Sequence, residues 1–121
     1  MAFTDYLDDK LLRHVFAGQS FTAPSNMYVG LGTNSTTELD KSSYARQLCS
    51  FSVASNVASN TSTLTWTLGE QWGTITHAFV YDALTGGNKL VVGQLTTSLD
   101  GNNTALKIRL DPYKLNIRLT D

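Results

Sequence analysis

The chain has 121 residues, 41% of them hydrophobic and only 16% charged, where globular chains carry about 25% charged residues. Nine Lys and Arg against ten Asp and Glu leave a net charge of -1, so the composition builds no basic face for a nucleic acid backbone. Cys49 is the one cysteine, which excludes an intramolecular disulfide framework, and no apolar run reaches the roughly 18 residues a membrane-spanning helix needs. Ser, Thr, Asn and Gly fill the charge deficit. A neutral, hydroxyl-rich surface suits β structure and packing against other subunits. The length predicts one domain, residues 1–121, large enough to enclose a core.

The first stretch, "MAFTDYLDDKLL", is acidic where a secretory signal is basic, so the chain is expected to be made in a cytoplasm and kept there until assembly. Leu7, Leu11 and Val15, flanked by Leu12 and Phe16, recur at helical spacing. Thr4 is an N-cap candidate and Gly18 a C-terminal stop. Asp5, Asp8 and Asp9 precede Lys10, Arg13 and His14, an order that complements the helix dipole. The pattern predicts a helix over about residues 5–17. It would cover one edge of the domain or reach a neighbouring subunit, so Leu7, Leu11 and Arg13 are candidate contacts.

Beyond the helix the period becomes two. Met27 to Leu31 is a short β-type run. Cys49, Phe51 and Val53 alternate with serines, and Leu64, Trp66 and Leu68 alternate with threonines. Ile75 to Tyr81 is apolar at most positions and reads as a central strand. Leu90 to Leu95 follows, then Leu106, Ile108 and Leu110, then Leu115, Ile117 and Leu119. The turns "TGGN", "LDGNN" and "DPYK" separate the later runs. Two segments read as irregular, the polar Asn34 to Tyr44 and the small, polar Ser55 to Ser62. About seven short strands predict a mainly β chain: an antiparallel β-sandwich or jelly-roll-like domain over about residues 27–120, with one N-terminal helix.

No chemistry-bearing motif survives inspection. "GLGTNS" has two glycines two apart, but Ser35 stands where a dinucleotide fingerprint needs a third, and no apolar helical face follows. Gly30 and Gly32 therefore mark a strand end where backbone, or a neighbouring subunit, comes close. Cys49 shares parity with Phe51 and Val53 and reads as a small buried hydrophobe. His77 shares parity with Ile75, Phe79 and Tyr81 and reads as a core or subunit-interface histidine. Two separated histidines and one cysteine make no zinc pattern. Asp8 and Asp9 point about 100° apart on a helix and form no acid–base pair. Asp82, Asp100 and Asp111 each border a turn and read as caps of backbone amides. Asn34, Asn60 and Asn102 begin N-x-Ser/Thr sequons and read as turn residues. Trp72, in "GEQWGT", is the candidate aromatic contact, on a sugar or in a subunit interface. No catalytic residue, cofactor or metal site is expected.

Three stretches carry a resemblance: "YLDDKLLRHVFAGQSFTAPSNMYVGLGT" (Tyr6 to Thr33), "SYARQ" (Ser43 to Gln47) and "WGTITHAFVYDALTGGNKLVVGQL" (Trp72 to Leu95). In this order they resemble a family of small virion structural proteins of tailed bacteriophages, often labelled tail fibre proteins. The closing "TALKIRLDPYKLNIRLTD" is similar to that family's C-terminal hairpin. The chain departs from the family at Arg13, where Asp is common. The resemblance implies a non-enzymatic virion component and transfers no site residue.

The first functional expectation is a capsid decoration, or cement, protein. It would bind the head shell as a homotrimer, through the helix and the Asn34 to Tyr44 segment, and would stabilise the assembled shell by mass action. The alternative is a tail-fibre or tail-tip module that binds a host surface glycan. Either way the expected partners are other virion proteins, the major capsid protein or tail proteins, together with further copies of the chain. Neither nucleic acid nor membrane is expected among them. Copy number per particle separates the two.

Overall fold

The computed structural model describes residues 1–118. One helix, α1 (Asp5–Phe16), follows a two-residue strand β1 (Ala2–Phe3). Nine further strands complete the described chain. They are β2 (Met27–Gly32), β3 (Gln47–Cys49), β4 (Phe51–Ala54), β5 (Val57–Asn60), β6 (Leu64–Thr67), β7 (Gly73–Tyr81), β8 (Lys89–Gly101), β9 (Lys107–Leu110) and β10 (Asn116–Arg118). Leu119, assigned to the last strand from its alternation, lies outside the described residues.

Every strand pairing is antiparallel. The main sheet runs β1-β8-β7-β2-β3, a second runs β10-β5-β4, and β6 pairs with β9. Val29 and Leu31 from β2, Ile75, Ala78 and Val80 from β7, and Leu90 and Val91 from β8 bury together with Leu64, Trp66, Ile108 and Leu110 of the β6–β9 pair and Ile117 of β10. The arrangement is sandwich-like: the main sheet and the smaller ones share one core. The mostly apolar run of β7 sits mid-sheet, between β8 and β2, as a central strand should.

α1 begins where the sequence predicts. Thr4 accepts from the Leu7 amide at 3.4 Å, while its hydroxyl donates to Lys89 O at 2.7 Å and its amide donates to Leu90 O. The cap therefore also rivets the helix to β8. Gly18 takes the left-handed conformation, φ 69°, and the amides of Ala17 and Gln19 both close on Arg13 O.

Three readings of the strands change. Cys49, Phe51 and Val53 do not share one strand. The chain changes sheet at Ser50, so Cys49 is buried against the main sheet whereas Val53, on β4, is 76% exposed. Ser55 to Ser62 is not irregular. Ser55 and Asn56 both have positive φ, 51° and 66°, and close a two-residue hairpin that pairs Ala54 with Val57. Leu106 precedes β9 and is exposed, so the core parity of that strand starts at Ile108.

Candidate functional site

The segments that carry the family resemblance meet at one cluster. The polar loop after β2 folds back: an Asx turn at Asn34 accepts from the Thr36 and Thr37 amides, both at 2.9 Å, and Glu38 then bridges to Gly32. Glu38 receives Arg46 in a two-point pair, Nε to Oε2 and Nη2 to Oε1, both at 2.9 Å. The other guanidinium nitrogen, Nη1, donates to the carbonyls of Ala83 and Gly86 at 2.8 Å, and the guanidinium stacks on the Tyr81 ring 3.4 Å from its centre. Tyr44 donates its hydroxyl to Glu38 Oε2 at 2.5 Å and accepts from the Leu31 amide. Its ring meets Trp72 edge-on, and Trp72 Nε1 donates to Ser43 Oγ at 3.0 Å.

This knot explains the two glycines. A Cβ on Gly30 would come within 2.6 Å of Glu38 Oε2 and 2.7 Å of the Tyr44 hydroxyl oxygen; one on Gly32 would sit 2.6 Å from Thr37 O. What comes close to this strand is therefore the chain's own loop. Burial, together with the hydrogen bond to Glu38, raises the Tyr44 hydroxyl far above the usual phenol range. Burial likewise pushes the Tyr81 hydroxyl up to about 12. Burial opposes the Arg46 charge, but the hydrogen bonds and the negative charge of Glu38 together outweigh it and hold the guanidinium in its charged form. Each of the three guanidinium nitrogens is engaged within the chain, and both Glu38 oxygens are occupied. The cluster locks the Glu38, Arg46 and Ala83–Gly86 segments together.

The contact candidates from the sequence are scattered. Trp72 does not stand out as a surface aromatic: it is 3% exposed, packed against Tyr44 and satisfied by Ser43. The turn "GEQWGT" turns its ring inward because Gly73 takes φ 84° and the Trp72 amide bonds Gly101 O at 2.7 Å. His77 is half-buried on β7 between Gly32 and Gln94, with Nδ1 2.7 Å from Thr76 Oγ1. Leu7 and Leu11 are half-buried on the base of α1, and Arg13 is exposed in an i,i+4 pair with Asp9. Asp82 and Asp100 cap the Asn88 and Asn102 amides, whereas the Asp111 carboxylate pairs with Arg109 instead. Cys49 is buried, which pushes its thiol up to about 11 and leaves it a poor nucleophile. Among the described residues, no three His, Cys, Asp or Glu side chains come together as metal ligands.

Two surfaces stand out, the helix that the sequence already offered as a contact and a cleft that it did not. The outer half of α1 exposes Leu12, Val15 and Phe16, the last 81% accessible, and no residue of the helix is fully buried. The second is a cleft of about 430 Å³ between the outer half of β8 and the β9–β10 turn. The family described as podophage GP4 fiber I protein gp80 matches residues 2–117, nearly the whole chain. The chain belongs to this fibre family. It is a bacteriophage virion structural protein, as the resemblance implied, and its family name is that of a fibre protein. No curated protein matches the sequence.

Proposed function

We propose that the protein is a non-enzymatic module of the phage fibre that meets the host surface, rather than a cement protein of the head shell. The match over residues 2–117 to a family named for a fibre protein carries the reading. The structure is consistent with a passive module: its most elaborate polar cluster, around Arg46 and Glu38, is consumed internally.

Attachment to a neighbouring virion protein falls to the outer half of α1. Leu7 packs against the core and Leu11 is half-buried, and the apolar stripe continues through Val15, with Leu12 and Phe16 beside it, into solvent. A 12-residue helix is short for stability on its own, so a partner that covers this half also stabilises it. Copy number per particle, from quantitative protein analysis of purified virions, tests the proposal. A number set by the count of fibres is expected. A number matching the hundreds of subunits of a shell lattice would return the protein to the head.

A further inference from the structure

The β4–β5 hairpin carries a strand edge that the rest of the chain leaves open. β4 pairs with β5 alone, at one end of the β10-β5-β4 sheet. The Thr61 amide closes on Ser50 O, and a two-residue turn joins Ala54 to Val57. This alternation aims the backbone groups of Ser50, Ser52 and Ala54 at β5. Those of Phe51 and Val53 therefore point outward, and among the described residues no strand pairs with them.

The sheet behind this edge is held firmly. Asn60, on β5, is 0% exposed. Its side-chain amide donates to the carbonyls of Ser62 and Asp111, both at 3.0 Å, and accepts from the Leu115 amide at 2.9 Å. This clamp ties β5 to the β9–β10 turn.

Other edges of the fold are blunted by the devices that keep strands from pairing with a stranger. β1 is two residues long. β8 bulges: His77 pairs with Gln94 and Ile75 with Leu99, so Leu95 to Ser98 oppose Thr76 alone. β9 exposes Lys107 and Arg109, and β10 exposes Arg118. β4 has none of these devices. From Gln47 to Ser62 the chain carries no charged residue and no proline. Val53 is 76% exposed on the open edge, and Leu48, just before the change of sheet, is 58% exposed. Val53, Ala58 and Ile117 stand side by side across three strands. With Phe3 and Val57 they line a groove of about 800 Å³, in which Arg118 is the one charge among the described lining residues.

We infer that β4 is a self-pairing edge, which adds antiparallel to β4 of a second copy across a two-fold axis and joins the two β10-β5-β4 sheets into one. The outward groups set the register. Phe51 of one copy faces Val53 of the other, and the axis passes between the two Ser52 residues. Each Phe51–Val53 pair exchanges both of its backbone hydrogen bonds. Apolar side chains meet apolar ones, serine meets serine, and Val53 leaves water for a place beside the second copy's Phe51. Charge selects the occupant. Identical charged edges repel, whereas this uncharged edge meets its own copy without repulsion, and a charged strand would find no counter-charge along it. The inference goes beyond the fibre reading, since it concerns how copies meet and not where on the particle they sit.

The edge is short, so pairing in solution is weak and covalent trapping is the sensitive readout. Cysteines at position 52 would face each other in a non-hydrogen-bonded pair, with Cα atoms about 4.5 Å apart, within the reach of a disulfide. Under mild oxidation Ser52→Cys is expected to form the two-chain species about tenfold faster, or more, than Ser98→Cys, an exposed serine on the β8 bulge. Wild type, whose Cys49 is buried, supplies the blank. Adding Val53→Lys to Ser52→Cys removes the advantage and leaves the melting temperature unchanged, because Val53 is already in water. Sedimentation of wild type over a series reaching millimolar concentration is expected to show two-chain species that Val53→Lys lacks. Equal trapping rates at positions 52 and 98 would overturn the pairing. So would self-association that survives Val53→Lys undiminished. On intact particles, Ser52→Cys linked to a different virion protein and not to itself would overturn the second copy as the occupant.

Discussion

Two arginine–carboxylate pairs in this chain have nearly the same contact distances and opposite surroundings. Arg46 and Glu38 are 9% and 20% exposed, sit over Tyr81 and tie three segments together. Arg13 and Asp9 are 54% and 56% exposed on the open face of α1, where Arg13 Nε reaches both Asp9 oxygens at 2.9–3.0 Å and no other element. The contrast shows that the bond itself does not set the worth of an ion pair. Where water is displaced and every lone pair is taken, removing one partner strands the rest; on an open helix, water replaces it.

That contrast can be broken or sharpened in order of size. Arg46→Ala leaves Glu38 without its cation and two carbonyls without donors, and is expected to cost about 3–5 kcal/mol in urea denaturation. Gly30→Ala, which changes no polar group but crowds the knot, is expected to cost about 1–3 kcal/mol. Arg13→Ala is expected to cost at most about 0.5 kcal/mol by the same assay. A loss for Arg13→Ala as large as that for Arg46→Ala would erase the distinction. Phe16→Asp should barely alter the melting of the free protein, since the side chain is already in water, yet it should deplete the protein from assembled particles.

The pH axis probes the buried side of the comparison alone. Cys49, Tyr81 and Tyr44 all have folded values above their ordinary ones of 9.0, 10.0 and 10.0. For an acid raised on folding, the unfolded chain loses its proton first. Its contribution is therefore whole below the unfolded value and is lost as pH rises through the folded one. Stability should begin to fall near pH 9, fall further between pH 10 and 12, and fall less steeply in Tyr44→Phe. A melting temperature level across that window would show that the phenols are not held as described.

Much of the fold was legible because hydrophobic period and capping chemistry are local. Thr4, the aspartates, Gly18 and the apolar run of β7 each act within a few residues. The hairpin at Ser55 and Asn56 was missed because its turn lacks the glycine that usually announces two positive φ values. Trp72 was misplaced because its burial depends on Tyr44 and Ser43, nearly 30 residues away. The Arg46 knot, the β8 bulge and the Asn60 clamp share that cause: each joins positions distant in the chain whose residue types are individually ordinary. Asn60 read as a turn residue by its sequon, whereas its role appears only once Asp111 and Leu115 are beside it. The cleft beside β8 left no signal beyond "DPYK", whose turn was legible.

The central claim, that this is a fibre module of the virion, is tested most directly by gold-labelled antibody against the protein on intact phage particles viewed by electron microscopy. Label confined to the fibres is the predicted result. Label spread over the head shell, with bare fibres, would contradict it.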